Sequence, residues 1–508
     1  MAPEKPARLP MPNIRDLYKY RFGHGTNLGS VFCLEAWLTG SMFPAGAGSS
    51  ELAAVTASLQ ESGLDATIQK FESHWRNYIS DGDLDWLVNE AQCNSVRLPI
   101  GYWTLGSAYT RGTPFEPVAR VYEHAWTAVK DLITRCEARN IGVLVDFHGL
   151  PGGANGNDHS GTNSGRAELW ENDSFKTLSV DCLHFIASQL RDVDNVIGIQ
   201  ICNEAEGSAL NKGLWEFYDR AISAISTVDP SIPIYLSDAW NLPNALSAAS
   251  GRNNMASNLN PLVIDTHKYF CFSDVDTNKA PKQIIKESET TLSSLPTDEV
   301  HKRGASPVVV GEYSCVMSET SWQQSPEQRN ALVDSFGRAQ SSHYNSSAMG
   351  SYFWTYRMDW MPGGEWGFKE QVTKGHIRCP QHLQWTRWQV RLQAKRARDN
   401  ALRRREETVR SHCEYWDKNY PGEYDHGLFE RGWDTGFEDA AALFEMRETM
   451  VHLDGGEDAI IGGDKLGSID LWVLKRLRDA KVEGRFVWEF EHGIRQGLRD
   501  FYGLAGVP

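Results

Sequence analysis

The sequence predicts an α/β fold, a TIM (β/α)8 barrel followed by a mainly helical carboxyl-terminal extension. Two observations carry this expectation. Eight short apolar runs of β-like composition recur between longer segments of helical composition, and several runs are too continuously apolar to be half-exposed antiparallel strands. Strands buried on both faces read that way, and strand-helix alternation is the pattern of a parallel sheet. Eight units favour a closed barrel over an open doubly wound sheet.

The runs are Thr26–Phe32, Ser95–Ile100, Ile141–Phe147, Val196–Cys202, Ile232–Leu236, Leu262–His267, Val308–Gly311 and Ser351–Thr355. Helical composition falls at Leu84–Asn89, Val118–Asn140, Ser174–Gln189, Gly213–Ser226 and Gln328–Asn345. The connections after the third and sixth strands are long: Leu150–Ser164 is rich in glycine and asparagine, and Phe272–Arg303 is a polar insertion. Loops at the carboxyl ends of barrel strands hold the chemistry, so long ones imply a walled pocket.

Beyond the last strand the composition shifts. Arg391–Arg410 carries eight basic residues against three acidic ones, without proline, and reads as a charged helix. Such a run is more often a solvated helix face than a lipid or nucleic-acid contact, although peripheral lipid contact stays open. Leu471–Leu477 and Phe486–Phe490 suit helices, and Gly432–Phe437 with Glu491-His492-Gly493 look like packing motifs. The expected division is an amino-terminal arm (1–20), a barrel (21–390) and a helical extension (391–508), the last with its own core or covering the barrel.

Composition narrows the function. The chain has 508 residues, 41% hydrophobic, which suits one large domain plus a smaller one. A net charge of −15 argues against nucleic acid as the main partner. Met1–Asn13 has four prolines and no apolar run, and no stretch of eighteen apolar residues occurs, so neither a signal-peptide core nor a membrane span is expected. Nine dispersed cysteines without a CxxC pair suggest free thiols and a cytoplasmic location. The 18 tryptophans suit a thick core or a site that stacks sugar faces.

The chemistry concentrates at strand ends. Ile201-Cys202-Asn203-Glu204 places an amide beside a carboxylate at the end of the fourth strand, and Glu312 ends the seventh. Two carboxylates facing each other across a barrel mouth suit glycoside hydrolysis, with a separation of about 5–5.5 Å in a retaining enzyme. Arg97 would keep Glu312 ionised and oriented. His148 and His267 end the third and sixth strands, and Trp354 at the eighth offers a floor for a sugar ring. Asp146, His148, Asp158 and His159, or Asp265 with His267, form no HExxH or tight Cys/His pattern, so no catalytic metal is expected. GxGxxG, GKS/GKT and GxSxG motifs are missing, which disfavours nucleotide and serine-hydrolase chemistry.

With these strand ends placed, the chain resembles glycoside hydrolase family 5, and within it the fungal exo-β-1,3-glucanases (glucan 1,3-β-glucosidases), over about residues 22–389. The likeness rests on Gly25-Thr26-Asn27-Leu28-Gly29, Leu34-Glu35-Ala36-Trp37, Val96-Arg97-Leu98-Pro99-Ile100, Asp146-Phe147-His148-Gly149 and the loop Asn155–Gly161. Asn203-Glu204, His267-Lys268-Tyr269, Gly311-Glu312-Tyr313 and Phe353-Trp354-Thr355 complete it. The resemblance implies that Glu204 is the acid/base, Glu312 the nucleophile and Asn203 the ligand of the sugar 2-hydroxyl. It implies further that Arg97 and Tyr269 surround the nucleophile, that His148 and His267 are subsite histidines, and that Trp354 is the sugar platform. Glu35 and Asp158 match carboxylates that grip the terminal glucose.

The implied reaction is exo-acting double displacement on a β-glucan or β-gluco-oligosaccharide, with no cofactor and with Glu204 protonated in the resting enzyme. Two departures stand out. Ala205 occupies a position that is often proline in the family, and Glu206 adds an acid that would raise the pKa of Glu204, or bind substrate, only if it pointed inward. The extension and the lack of an export signal leave glycolipid, steryl or other small-aglycone β-glucosides open as substrates. A carbohydrate-binding protein without turnover is the non-enzymatic alternative.

Overall fold

The computed structural model describes residues 9–257, 260–292, 299–450 and 455–507. Its strands are β1 (Gly23–Asn27), β2 (Ser95–Gly101), β3 (Gly142–Gly149), β4 (Val196–Gln200), β5 (Ile234–Ser237), β6 (Leu262–Phe270), β7 (Val308–Met317) and β8 (Gly350–Phe353). They close into one barrel in sequence order, each pairing parallel, so all carboxyl ends open on the same mouth. Every residue of β1 to β5 and β8 is buried, which is why these segments read as continuous apolar runs.

Several strand boundaries differ from expectation. β1 ends at Asn27, not Phe32: the chain turns immediately afterwards, with Ser30 in the left-handed region (φ 60°). β4 stops at Gln200, so Asn203 and Glu204 lie in the loop beyond it. β6 and β7 instead run past the rim together, pairing His267 with Glu312 and Phe270 with Met317. Glu312 is therefore inside a strand, not at its end. Gly311 makes this register fit, because a Cβ there would lie 2.1 Å from Asp265 Oδ1.

Some helices were invisible in the sequence. Glu51–Asn77, interrupted at Gly63 (φ 72°), fills the connection between β1 and β2, and Leu242–Arg252 follows β5. The polar insertion Phe272–Arg303 contains the helices Pro281–Ser288 and Val300–Arg303; residues 293–298 of that segment lie outside the described residues. Asparagine side chains hold several connections: Asn94, Asn195, Asn253 and Asn260 are buried and bond to main-chain atoms of neighbouring segments.

The extension consists chiefly of the helices Arg387–Asn419, His426–Glu445, Ile469–Ala480 and Val487–Ala505. Thr386 and Gln389 form a capping box that starts the first, and residue 391 falls within its second turn. The His426 and Val487 helices approach backbone to backbone. A Cβ on Gly432 would lie 2.3 Å from Phe490 O, and one on Gly497 2.2 Å from Trp433 O. The basic run faces acids of its own extension: Arg391 meets Glu448, Arg398 meets Glu445, Arg404 meets Asp500 and Arg405 meets Asp434.

These helices share one hydrophobic core with the barrel floor. Leu144, Ile197, Tyr235, Val263 and Val309, near the beginnings of their strands, cluster with Phe437, Phe444, Trp472 and Phe501 of the extension. Leu17 and Tyr18 of the amino-terminal helix Ile14–Tyr20 belong to the same cluster. The extension thus closes the end of the barrel opposite the mouth. Among the described residues no helix is long and apolar enough to cross a membrane.

One buried carboxylate ties the extension to the barrel. Glu491 accepts from the main-chain N–H groups of Val300 (3.0 Å) and His301 (2.9 Å), from His301 Nδ1 (2.7 Å) and from Arg495 Nε (2.8 Å). Burial raises its pKa, but the His301 hydrogen bond and Arg495 overcome this and lower it from 4.5 to about 2. A depressed carboxylate stabilises the fold above its unfolded pKa, and that contribution fades as pH falls from 4.5 toward 2. The linkage is worth about 3 kcal/mol. Glu491→Gln is expected to lower Tm at pH 7 by several degrees and to flatten its decline between pH 4.5 and 2, as read by calorimetry. An unchanged acid limb contradicts this role.

Candidate active site

The mouth of the barrel opens into a cavity of about 860 Å³. The loops after β3, β5, β6 and β8 wall it, contributing Asp158 and His159, Trp240, Phe272 and Trp366 respectively. Eight of the ten residues singled out in the sequence line it: Glu35, His148, Asp158, Asn203, Glu204, Tyr269, Glu312 and Trp354. Arg97 and His267 lie directly behind this wall, bonded to the two carboxylates.

Arg97 on β2 is the fixed point of the floor. It is fully buried, and each of its donor nitrogens is used. Nε donates to Gln200 (2.9 Å), Nη1 to Asn27 and Glu312 (2.9 Å each), and Nη2 to Asn203 (2.7 Å). Asp146 lies 3.0 Å and Asp265 3.8 Å from Nη2. Burial disfavours the guanidinium charge, but Asp146, Glu312 and Asp265 raise its pKa above the ordinary value. A planar fork with this many acceptors sets directions as well as charge.

Glu312 is held from both sides, accepting from Arg97 at Oε1 and from the Tyr269 hydroxyl at Oε2 (2.8 Å). Burial and the Glu312 charge raise the Tyr269 phenol well above its usual value, so it remains a donor. Glu204 sits opposite. Its backbone is in the left-handed region (φ 42°), and Asn155 Nδ2 donates to its carbonyl (3.0 Å). An oxygen of Glu204 and one of Glu312 lie within 4.8 Å of each other, with His267 Nδ1 between them at 2.8 and 3.5 Å.

The proton inventory differs from the sequence expectation of a protonated Glu204. Burial pushes its pKa up, but hydrogen bonds from His159 and His267 more than offset this and hold it well below the usual range. The facing imidazoles shift in the opposite direction. His267 is disfavoured as a cation by burial, yet Glu312 and Asp265 raise it well above its ordinary value. His159 is likewise opposed by burial, but the Glu204 bond and charge raise it from 6.5 to about 9. His159 Nε2 is 3.4 Å from Glu204, while its Nδ1 is 3.1 Å from His148 Nε2. His148 Nδ1 in turn is 2.7 Å from Asp146, so a continuous chain of polar groups runs from the barrel floor to Glu204.

The remaining positions fall into place individually. Glu35 is nearly buried and accepts from Trp37 Nε1 (2.8 Å). Asp158 is exposed at the cavity edge, bonded to Asn163 and Ser49. Trp354 lies nearly parallel to His148, 15° apart, and presents a flat wall. Glu206 points away from the cavity toward Ser208 and Lys212, so it neither perturbs Glu204 nor lines the site. Ala205 donates its N–H to Ser237 Oγ (3.2 Å), a bond that proline has no hydrogen to make. His159, Trp240, Phe272 and Trp366 went unassigned as site residues. Applying the strand-end rule to β5, and to the long loop after β3, would have reached Trp240 and His159.

A carboxylate pair at the mouth of a parallel barrel, backed by an arginine and walled by aromatics, is the equipment of a glycoside hydrolase. The chain belongs to glycosyl hydrolase family 5: residues 59–356 match the Cellulase (glycosyl hydrolase family 5) domain family. Residues 397–505 match the Glucan 1,3-beta-glucosidase 3 C-terminal domain family. The chain is 32% identical over 484 residues to Glucan 1,3-beta-glucosidase 3 of Schizosaccharomyces pombe, covering 95% of each. It is 29% identical over 512 residues to an uncharacterized glycosyl hydrolase of Saccharomyces cerevisiae, covering 97% of this chain and 94% of that one. The fold is also similar to the crystal structure of rutinosidase from Aspergillus niger, with TM-score 0.55 and 18% identity over 71% of this chain and 99% of that one.

If the imidazolium of His159 supplies protons to Glu204, the alkaline limb of kcat/KM follows that group. His159→Asn is expected to move this limb to lower pH by about one unit or more, measured on an aryl β-glucoside. A profile lowered in height with its limbs unmoved would mean that His159 only shapes the pocket.

Proposed function

We propose that the chain is a retaining, exo-acting β-glucosidase that removes terminal glucose from β-1,3-glucan or short β-gluco-oligosaccharides. The observation that carries this reading is the Glu204–Glu312 pair, with oxygens within 4.8 Å across a walled cavity. Oxygens this near match the separation of about 5–5.5 Å in retaining glycosidases better than the roughly 6.5–9.5 Å of inverting ones, and so favour retention. The name of the S. pombe relative supports a 1,3-linked glucan as substrate.

The reaction proceeds in two balanced steps. A Glu312 oxygen attacks the anomeric carbon while the glycosidic bond breaks, and the departing oxygen takes a proton from Glu204. Substrate entry excludes water and separates charges less effectively, which drives a proton from the neighbouring imidazolium onto Glu204. Glu204 then removes a proton from water, whose oxygen attacks the same carbon and frees Glu312. Arg97 and Tyr269 hydrogen-bond the two Glu312 oxygens and aim the side chain at the anomeric carbon. Glu35 and Asp158, both lining the cavity, supply acceptors for the hydroxyls of a terminal sugar. The nine unpaired cysteines support a reducing, cytoplasmic setting.

A second reading has its own observation. Trp37, Trp240, Phe272 and Trp360 are 42–68% exposed, and the first three line the cavity. Such an apolar rim suits the aglycone of a lipid, steryl or other small β-glucoside.

Incubation with a 2-fluoro-β-glucoside is expected to leave a covalent sugar on Glu312, located by peptide mass analysis. Glu312→Ala should lose this label and hydrolysis while still unfolding in one cooperative transition, at a lowered Tm because Arg97 loses a buried partner. Label on another residue contradicts the assignment. In a product-resolved screen, laminari-oligosaccharides should shorten by one glucose at a time, and Glu35→Ala should lower kcat/KM about 10- to 100-fold. Cleavage confined to lipid or steryl glucosides selects the second reading.

A further inference from the structure

A second cluster of polar groups lies in the extension, and none of its members lines the active-site cavity. Three helices bring it together. His412 sits near the end of the Arg387–Asn419 helix, His426 opens the His426–Glu445 helix, and Glu489 lies in the first turn of the Val487–Ala505 helix. Glu489 Oε2 is 2.9 Å from His426 Nδ1 and 3.2 Å from His412 Nε2. One donor atom from each residue lies within 4.8 Å of the other two.

The surroundings fix each of the three. The Glu489 side chain is fully buried, and its Oε1 accepts from the Asp425 N–H (2.8 Å), leaving Oε2 for the imidazoles. His412 stacks on Phe429 at 3.7 Å with planes 11° apart, which fixes the plane of its ring. Asp417 Oδ1 lies 3.3 Å from His426 Nε2. A carboxylate on the far nitrogen of an imidazole directs the near nitrogen's lone pair inward, the outer arrangement of metal-bound histidines. Trp416 and Trp488 flank His412, while His426 remains 21% exposed and leaves an entry path.

We propose that His412, His426 and Glu489 form a site for a divalent transition metal of the zinc class, which pins the ends of three carboxyl-terminal helices to one another. Two imidazole nitrogens with one carboxylate oxygen suit zinc and its neighbours, not magnesium or calcium. The ion replaces the protons now lying between Glu489 and the two rings, and the fourth position takes a water. The role is structural, separate from hydrolysis, and does not depend on the functional reading above.

The test uses the full-length protein stripped with a chelator and then given Zn2+ alone, with Mg2+ as the control. Equilibrium dialysis and metal analysis should find one zinc bound at this site per chain, with a zinc-dependent rise in Tm and unchanged hydrolysis of an aryl glucoside. His412→Ala and Glu489→Gln should abolish both binding and the rise. Asp417→Asn, at a surface position that leaves the core intact, should weaken zinc about 10- to 100-fold. The proposal is overturned by substoichiometric zinc, by equal retention of Mg2+, or by zinc affinity unchanged in both Glu489→Gln and Asp417→Asn. It is also overturned if the bound zinc inhibits hydrolysis and survives Glu489→Gln, since the Glu204–His267–Glu312 cluster would then hold it.

Discussion

Everything at the mouth of this barrel is arranged around one buried guanidinium. Arg97 makes hydrogen bonds to Asn27 of β1, Gln200 at the end of β4 and Asn203 just beyond it, and Glu312 of β7, and it faces Asp146 and Asp265. A single positive charge among three buried carboxylates is stable only with further compensation, and His267 supplies it. Removing one member of such a buried network leaves its partners uncompensated, typically at a cost of about 3–5 kcal/mol. The catalytic geometry is therefore a by-product of satisfying the floor. Asn203 takes its direction from Arg97, and Glu312 takes its direction from Arg97 and Tyr269 together.

The opposite end of the barrel carries a different constraint. Its inner residues do not meet solvent or a short loop but pack into a core shared with the extension. Four glycines let two helices of the extension touch through their backbones, and Glu491 fastens that pair to the barrel helix Val300–Arg303. The end that holds the chemistry stays free of these helices. This division matches the general separation in β/α barrels between a face for stability and a face for function.

The sequence was most legible where one physical signal dominates. Eight buried strands appear as eight apolar runs, and Glu204, Arg97 and Trp354 stand out because they interrupt or end such runs. Glu312 was found for an imperfect reason: it follows an apolar run but lies within β7, since pairing with β6 persists beyond the rim. The Glu51–Asn77 helix was missed because Gly63 breaks it and polar residues fill much of its surface. Protonation was illegible altogether. The lowered Glu204 pKa follows in part from a hydrogen bond with His159, eleven residues past His148 in a loop, and only folding brings the two rings to 3.1 Å. The basic run Arg391–Arg410 reads as a solvated helix face with compensating acids after it, but the particular partners Asp434, Glu445, Glu448 and Asp500 were not legible because they lie far along the chain.

The central claim is that Glu312 forms a bond to the sugar while Glu204 exchanges the proton, so the anomeric centre is displaced twice. Proton NMR of the first turnover on a β-glucoside, read before mutarotation sets in, reports this directly. The account requires β-glucose to appear first, with the α-anomer growing later. Initial release of α-glucose would mean a single displacement by water and would contradict the carboxylate spacing on which the mechanism rests.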